Sequence, residues 1–101
     1  MKTYLGDRTI DGIVVTADGV DLPDYAELKQ FSDAGFEWSF EGDAAKQLAF
    51  ALLYDATRDA ALAERLAEPF MKEVTANMGN EWEMTDEDIR LAITQMETLK
   101  A

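Results

Sequence analysis

Carboxylates are the side chains with which this sequence could do chemistry. It contains 21 aspartates and glutamates against nine lysines and arginines, and its formal net charge is -12. Histidine and cysteine are absent, so the commonest general base, the commonest transition-metal ligand and thiol chemistry are excluded. Acid–base work would therefore fall to aspartate or glutamate, with lysine or tyrosine as helpers. Because no nucleophile and base stand at a catalytic spacing, we expect a protein that is not an enzyme and needs no cofactor.

Two groups of acidic residues are candidates for a partner-binding surface. The first lies at a predicted turn and its exit, and the second runs from a short predicted strand into a helix start. Their members are Asp18, Asp21 and Asp24 in the first group, and Glu81, Glu83, Asp86 and Glu87 in the second. Structural roles compete with binding, because aspartate favours turns and carboxylates stabilise the first turn of a helix. The second group lacks the spacing of a calcium loop, and we predict no metal site.

Three interpretations of the acidity stay open. We favour a small non-enzymatic interaction or regulatory protein that binds a protein partner. The first alternative is a nucleic-acid mimic, whose carboxylates replace phosphates in the basic groove of a DNA- or RNA-binding effector. Phage-borne inhibitors of host defence, such as anti-CRISPR proteins, act in this way. The second alternative is a housekeeping protein of a high-salt cell, in which the acidic surface only maintains hydration.

The composition also bears on location. Affinity for nucleic acid rests on lysine and arginine, so we do not expect this acidic chain to bind nucleic acid directly. The longest apolar run, residues 48–54, is seven residues long, whereas a membrane span needs roughly twenty. The first residues lack the apolar core of a signal peptide. We therefore expect a cytoplasmic protein without a membrane partner.

The stretch from residue 35 to residue 57 organises the predicted fold. Phe36, Trp38 and Phe40 alternate with polar residues, which predicts a strand over residues 36–40 with one aromatic face. Asp43 is placed to cap a helix that starts at the next residue. The apolar run 48–54 places apolar side chains on every side of that helix, which predicts that the helix is central and buried.

The flanking segments predict the remaining elements. Asp11-Gly12 and Asp18-Gly19 each predict a tight turn, so the N-terminus should form a meander of short strands. Thr57 is a candidate cap for a second helix, whose apolar stripe over residues 62–78 is core or an interface shared with a second copy in a homodimer. Pro69 would either kink that helix or split it. Residues 80–84 could form a brief strand, and Thr85 begins a capping box before a third helix.

Together these signals predict one domain, residues 1–101, of the α+β class. We expect a small antiparallel sheet of about four short strands, formed by the N-terminal meander and the 36–40 strand, packed on about three helices. The residues expected to be largely buried are Phe36, Trp38, Phe40, Leu48, Leu52, Leu66, Phe70 and Ile93.

Several of these positions are also spaced as in one known group of proteins. They are Tyr4, Gly6, Arg8, Asp11-Gly12, Val15, Asp18-Gly19, Leu22, Gly35-Phe36-Glu37-Trp38 and Gln47-Leu48-Ala49. With them the chain resembles a family of small uncharacterised prokaryotic and phage proteins, a domain of unknown function with a Gly-Phe-Glu-Trp strand, a Gly-rich turn and a Gln-Leu-Ala helix. The resemblance covers most of the chain and weakens after Pro69. It implies a fold and transfers no catalytic residue.

Overall fold

The computed structural model describes residues 1–33 and 35–100, and only the backbone of the last two of these. Its elements in chain order are β1 (Thr3–Thr9), β2 (Gly12–Ala17), β3 (Val20–Asp21), α1 (Asp43–Thr57), α2 (Ala60–Glu73), a 3₁₀ turn (Thr75–Asn77), β4 (Glu81–Thr85) and α3 (Asp86–Lys100). The strands form one antiparallel sheet in the order β3-β2-β1-β4. The predicted α+β class, with a four-stranded antiparallel sheet and three helices, is confirmed. None of the described helices combines the length and the apolar character needed to cross a membrane.

The two N-terminal hairpins turn where Asp-Gly pairs predicted turns, with one shift. In the second hairpin Asp18 and Gly19 have φ of 51° and 83°, and a type I′ turn needs positive φ at both positions. In the first hairpin Ile10 and Asp11 form the turn, and Gly12 already pairs with the last residue of β1. Gly12 has φ of 123°, so its conformational freedom is used as the chain enters β2.

The predicted strand over residues 36–40 is wrong. The fourth strand is β4, and residues 35–38 run beside the sheet without pairing to it. Period-two alternation indicates that one side of an extended segment is buried, but it does not determine which strand, if any, the segment pairs with. Here Trp38 is fully buried, edge-on to Trp82 with 5.8 Å between the ring centres. Phe40 is 53% exposed, because a left-handed residue, Ser39 with φ of 81°, turns the chain away from the core.

Arg8 holds this unpaired segment against the sheet. Its guanidinium donates to the Glu37 carboxylate at 2.6 Å and to the Trp38 carbonyl at 3.1 Å. The same group lies 5.0 Å from the centre of the Trp38 ring, a cation–π distance. The polar contacts of one side chain thus replace the backbone ladder that the sequence predicted.

The helix termini correct two predicted caps. Helix α1 begins at Asp43, and Gly42 precedes it as an N-cap with no side-chain hydrogen bond, so Asp43 is not the cap. The cap of α2 is Asp59, whose carboxylate accepts from the Leu62 N–H at 3.1 Å. Thr57 instead still belongs to α1, and its hydroxyl donates back to a carbonyl one turn earlier in that helix.

The capping box and most of the predicted core are confirmed, whereas a split at Pro69 and full burial of Phe36 and Ile93 are not. Pro69 lies inside an uninterrupted α2, so the alternative in which it splits the helix is wrong. At the start of α3, Asp88 N–H donates to the Thr85 hydroxyl at 3.1 Å and Thr85 N–H donates to the Asp88 carboxylate at 3.0 Å. These reciprocal bonds confirm the capping box. Residues of the predicted core that are fully buried are Trp38, Leu48, Leu52, Leu66 and Phe70, whereas Phe36 and Ile93 are half-buried.

A glycine in the middle of β1 makes room for the second tryptophan. Gly6 pairs directly with Trp82 of β4, and the indole ring lies over the glycine. A Cβ atom at position 6 would collide with that ring, whereas one at Gly79 would make only ordinary contact, 3.9 Å from a carbonyl oxygen.

We therefore expect Gly6→Ala to lower the free energy of unfolding by about 1–3 kcal/mol, as forced repacking of a core does. Urea unfolding at neutral pH measures this. Gly79→Ala is the control and should change stability by no more than about 0.5 kcal/mol. Equal stability of the two variants would mean that Trp82 does not pack over Gly6.

Candidate functional site

The sheet has one covered face and one bare face. Along β1 the side chains alternate, with Tyr4 fully buried and Leu5 45% exposed. We call the bare side the outer face, and the cross-strand register assigns to it Thr3, Leu5, Asp7, Thr9, Val14, Thr16, Asp21, Glu81, Glu83 and Thr85. Val14 is 46% exposed, so the two apolar side chains at the centre of this face meet solvent.

The outer face is organised in rows that cross the strands. One row crosses all four strands and contains Asp21, Thr16, Leu5 and Glu83. The next row crosses three strands and contains Val14, Asp7 and Glu81. Directly opposed side chains in an antiparallel pair have Cβ atoms about 5 Å apart, and like charges there are destabilising. Asp7 of β1 and Glu81 of β4 are such a pair, so the chain maintains an unfavourable contact between two carboxylates on the exposed face of the sheet.

No cation relieves this pair within the sheet. None of the outer-face positions holds lysine or arginine. Elsewhere in the described chain six basic side chains have acidic partners on the loops and helices, in the pairs Lys2–Asp55, Arg8–Glu37, Lys29–Glu64, Lys46–Glu68, Arg58–Asp55 and Arg65–Glu97. The outer face therefore presents charge of one sign only, whereas the loops and helices carry both signs.

The structure brings together three of the seven acidic residues named from the sequence. Asp21, Glu81 and Glu83 share the outer face, although the first lies on the edge strand opposite the other two. Beside the two glutamates lies a hollow of about 470 Å³, which Leu5 and Asp7 of β1 also line. Sequence analysis missed Asp7, because only the pairing of β1 with β4 sets it opposite Glu81.

The other four lie away from the outer face. Asp18 accepts from the Thr3 N–H at 2.8 Å, and Asp86 accepts from the Lys2 N–H at 3.1 Å, so both fasten the start of β1. That backbone bond holds the pKa of the Asp86 carboxyl below its usual range. Asp24 accepts from the N–H two residues later in a loop turn. Glu87 is exposed in the first turn of α3.

The carboxylates of the outer face do not form a metal site. Among the residues that the structure describes, no three acidic side chains are grouped closely enough to hold an ion. The outer face is an acidic surface with exposed apolar side chains, and it offers contact area and charge.

A second polar cluster lies inside the molecule, around Asp55 of α1. The side chain of Asp55 is 3% exposed. It accepts from the Tyr4 hydroxyl at 2.7 Å, the Tyr25 hydroxyl at 2.6 Å and the Lys2 ammonium at 2.8 Å, and Arg58 lies 3.4 Å away. Lys2 and Tyr4 come from the start of β1 and Tyr25 from the loop before α1, so one carboxylate joins α1 to the sheet and to that loop.

These contacts shift the protonation equilibria of the cluster. Burial by itself would raise the pKa of Asp55, but the hydrogen bonds from Lys2, Tyr25 and Tyr4 outweigh it and lower that pKa. Burial and the bond to Asp55 raise the pKa of Tyr25 to about 12 and raise that of Tyr4 further. The carboxylate is thus held ionised and the phenols neutral, an arrangement that keeps the cluster fixed and provides no proton donor near neutral pH.

A sequence signal for this cluster exists. Asp55 directly follows the apolar run 48–54, inside a helix that is buried on all sides, and a carboxylate there must have partners. Gln47 is the comparable case at the other end of the run and is fully buried. Its carboxamide accepts from the N–H groups of Phe31 and Ser32 and donates to the carbonyls of Asp24 and Lys29. Both residues organise the loop between sheet and α1.

The comparisons with known proteins identify the family. Residues 4–95 match the model of a family of unknown function, DUF6166, and the chain belongs to this family. Neither a curated protein nor a solved structure matches the chain. The family and the four-stranded α+β fold are established, and the role has to be argued from the surface.

The Asp55 cluster predicts a specific acid dependence of stability. We expect Asp55→Asn to lower the free energy of unfolding at pH 7 by about 3–5 kcal/mol, since removing one partner leaves buried groups uncompensated. Because the folded pKa of Asp55 lies below its ordinary value of 3.8, its contribution is present above that pH and is lost as the pH falls further. The difference between wild type and variant should therefore shrink below pH 3.8. Urea titrations from pH 7 downward measure it, with Asp11→Asn in an exposed turn as the control; a difference independent of pH would contradict the role of ionised Asp55.

The opposed carboxylates of the outer face predict a stabilising substitution. Glu81→Gln should raise the free energy of unfolding by about 0.2–1 kcal/mol, because it removes the like charge opposite Asp7. The gain should decrease with added salt, which screens exposed charges. Glu27→Gln removes the same charge from an exposed loop residue and should give a smaller gain. If both substitutions act alike, net charge alone is responsible and the cross-strand repulsion is absent.

Proposed function

We propose that this protein is a non-enzymatic, cytoplasmic binding module whose outer face docks a basic surface of a partner protein. One observation carries the proposal: a bare sheet face presents four carboxylates, Asp7, Asp21, Glu81 and Glu83, and no cation. Exposed Leu5 and Val14 lie between them. An apolar centre with a charged border is how specific protein interfaces are built.

The charge distribution favours a partner rich in arginine or lysine. Complementary potentials accelerate encounter and exclude partners of the wrong sign. The opposed pair Asp7 and Glu81 adds a local reason, because a cation placed between the two carboxylates replaces a repulsion with two attractions. A merely hydrated acidic surface, as in a high-salt cell, would not need the carboxylates to share one face with exposed apolar side chains.

A narrower form of the proposal concerns the identity of the partner. The basic surface would be the nucleic-acid groove of a DNA- or RNA-binding protein, and this protein would inhibit it as a phage-borne mimic does. Asp21, Glu81 and Glu83, which sequence analysis assigned to such a surface, share the outer face. If the partner is a nucleic-acid-binding protein, nucleic acid must compete with this protein for the same groove. A basic partner that does not bind nucleic acid would show no such competition.

The experiment compares two variants of equal net charge. The outer-face variant carries Asp7→Asn, Asp21→Asn, Glu81→Gln and Glu83→Gln. The control variant carries Glu27→Gln, Asp33→Asn, Glu41→Gln and Glu73→Gln, all at exposed positions off the sheet. Wild type and both variants capture proteins from the producing cell; a partner that is identified is then purified, and its affinity is measured by calorimetry at about 50 and about 500 mM salt.

We expect a basic partner that the control variant retains and that the outer-face variant binds roughly tenfold or more weakly, with the wild-type affinity falling at high salt. Competition by nucleic acid would support the mimic. Equal loss in both variants, or no loss in either, would overturn docking on the outer face. Stabilisation of the folded protein by molar salt without any partner would favour the high-salt interpretation.

A further inference from the structure

One edge of the sheet is open over part of β2. The Leu22 N–H donates to the Val15 carbonyl at 2.9 Å, so the backbone groups of Val15 face away from β1. In an antiparallel ladder this direction alternates, so the N–H and C=O of Ile13 face the same way. The Arg8 N–H, opposite Ile13, agrees with this register, since it donates to Asn80 at 3.2 Å on the far side of β1.

Nothing in the described chain pairs with this part of the edge. Strand β3 contains two residues, Val20 and Asp21, and covers only the last residues of β2. The N–H and C=O of Ile13 therefore project into open space. An unpaired strand edge is a template for another extended chain, and natural sheets usually block it with a charged side chain, a proline or a covering segment.

The space beside this edge is a groove of about 800 Å³. It is lined by the β2 edge and by the extended segment 35–37, together with Leu22 and the Arg8–Glu37 ion pair. Ile13 and Phe36 are both half-buried and present apolar surface across the gap. The segment that the sequence pattern predicts as a strand thus lies beside the sheet with a gap between them.

We propose that this groove binds an extended peptide segment of a partner protein, which adds a strand to β2 beside Ile13 and inserts an apolar side chain between Ile13 and Phe36. Strand addition gives affinity through backbone hydrogen bonds and specificity through pockets for alternate side chains. The groove lies at the edge and on the covered side of the sheet, and it shares Asp21 and Val14 with the outer face, so the two proposals are separated by variants that leave these two residues unchanged.

Charge determines the second feature of the peptide. Arg8 lies in the groove, but its guanidinium is already bound to Glu37 and to the Trp38 carbonyl. Asp21, at the rim, has no ion-pair partner among the described residues. A lysine or arginine next to the apolar residue would meet Asp21 at the end of β3. The segment that fits is therefore extended, with one apolar anchor and one basic neighbour.

The probe is a displayed library of random peptides about twelve residues long, selected on the wild-type protein, followed by synthesis of the enriched peptides. Their affinities are measured by fluorescence anisotropy. Each peptide is also made with single backbone N-methyl groups at successive positions. Because alternate residues of an added strand face β2, methylation should weaken binding at every second position around the anchor, by roughly tenfold or more where a hydrogen bond is lost.

Protein variants locate the site. Ile13→Pro removes the N–H that faces the groove and loses no bond to β1, so the variant should fold and bind the peptides at least about tenfold more weakly. Glu41→Pro is the control, since it places a proline in an exposed loop off the sheet and away from the groove. Asp21→Asn should weaken only peptides that contain the basic residue.

Three results would overturn the proposal: no enriched peptide, binding without the alternating effect of methylation, or binding that Ile13→Pro leaves unchanged. If Ile13→Pro fails to fold, the methylation pattern and the effect of Asp21→Asn on peptide binding still test the proposal. Peptides whose binding is lost when Asp7→Asn, Glu81→Gln and Glu83→Gln are combined without Asp21→Asn, but is retained in Ile13→Pro, would support docking on the outer face and reject the groove. The two proposals can thus fail separately.

Discussion

The buried carboxylate of Asp55 is the interaction on which the arrangement of the layers depends. An ionised group inside a protein is tolerated only when its hydrogen bonds are complete, and Asp55 obtains them from Lys2, Tyr4 and Tyr25. Tyr4 lies on the covered side of β1, the strand between β2 and β4. Helix α1 is therefore held against that side, and α2 and α3 contact α1 rather than the opposite side of the sheet. The outer face carries no helix because the hydrogen bonds of Asp55 hold α1 on the covered side of the sheet.

Polar anchoring also explains how a long connection without regular structure is fixed. Between β3 and α1 the chain has no helix or strand among its described residues, yet it contributes buried Leu22, Tyr25 and Trp38 to the core. Gln47 binds its backbone at four points, Asp55 binds Tyr25, and Arg8 binds Glu37 and Trp38. Side chains, rather than a ladder, position this connection. Because a side chain can hold a segment at a distance, the segment 35–37 can stand off from β2 and leave the groove between them.

What the sequence could predict depends on whether the interacting residues are close together in the chain or far apart. The buried helix, the Asp18-Gly19 turn and the Thr85–Asp88 capping box each depend on residues within a few positions of one another, and all three are confirmed. The 36–40 strand failed because pairing with β1 is a competition between segments, and β4 supplies the better partner: Trp82 fits over Gly6. Asp7 was not predicted as a site residue for the same reason, since only the pairing of β1 with β4 places Glu81 opposite it. The partners of Asp55 are 30 to 53 residues away, beyond any local pattern.

The two edges of the sheet differ in a way that bears on both proposed surfaces. At the β4 edge, Glu81 and Glu83 place two carboxylates on a strand whose outer backbone is unpaired, and charge of one sign discourages a second copy from pairing there. The β2 edge at Ile13 has no charged neighbour of this kind on its own strand. The segment 35–37 lies on the other side of the groove beside this edge. The acidic residues therefore have two separable effects: at β4 they oppose self-pairing, and over the outer face they select the charge of whatever docks.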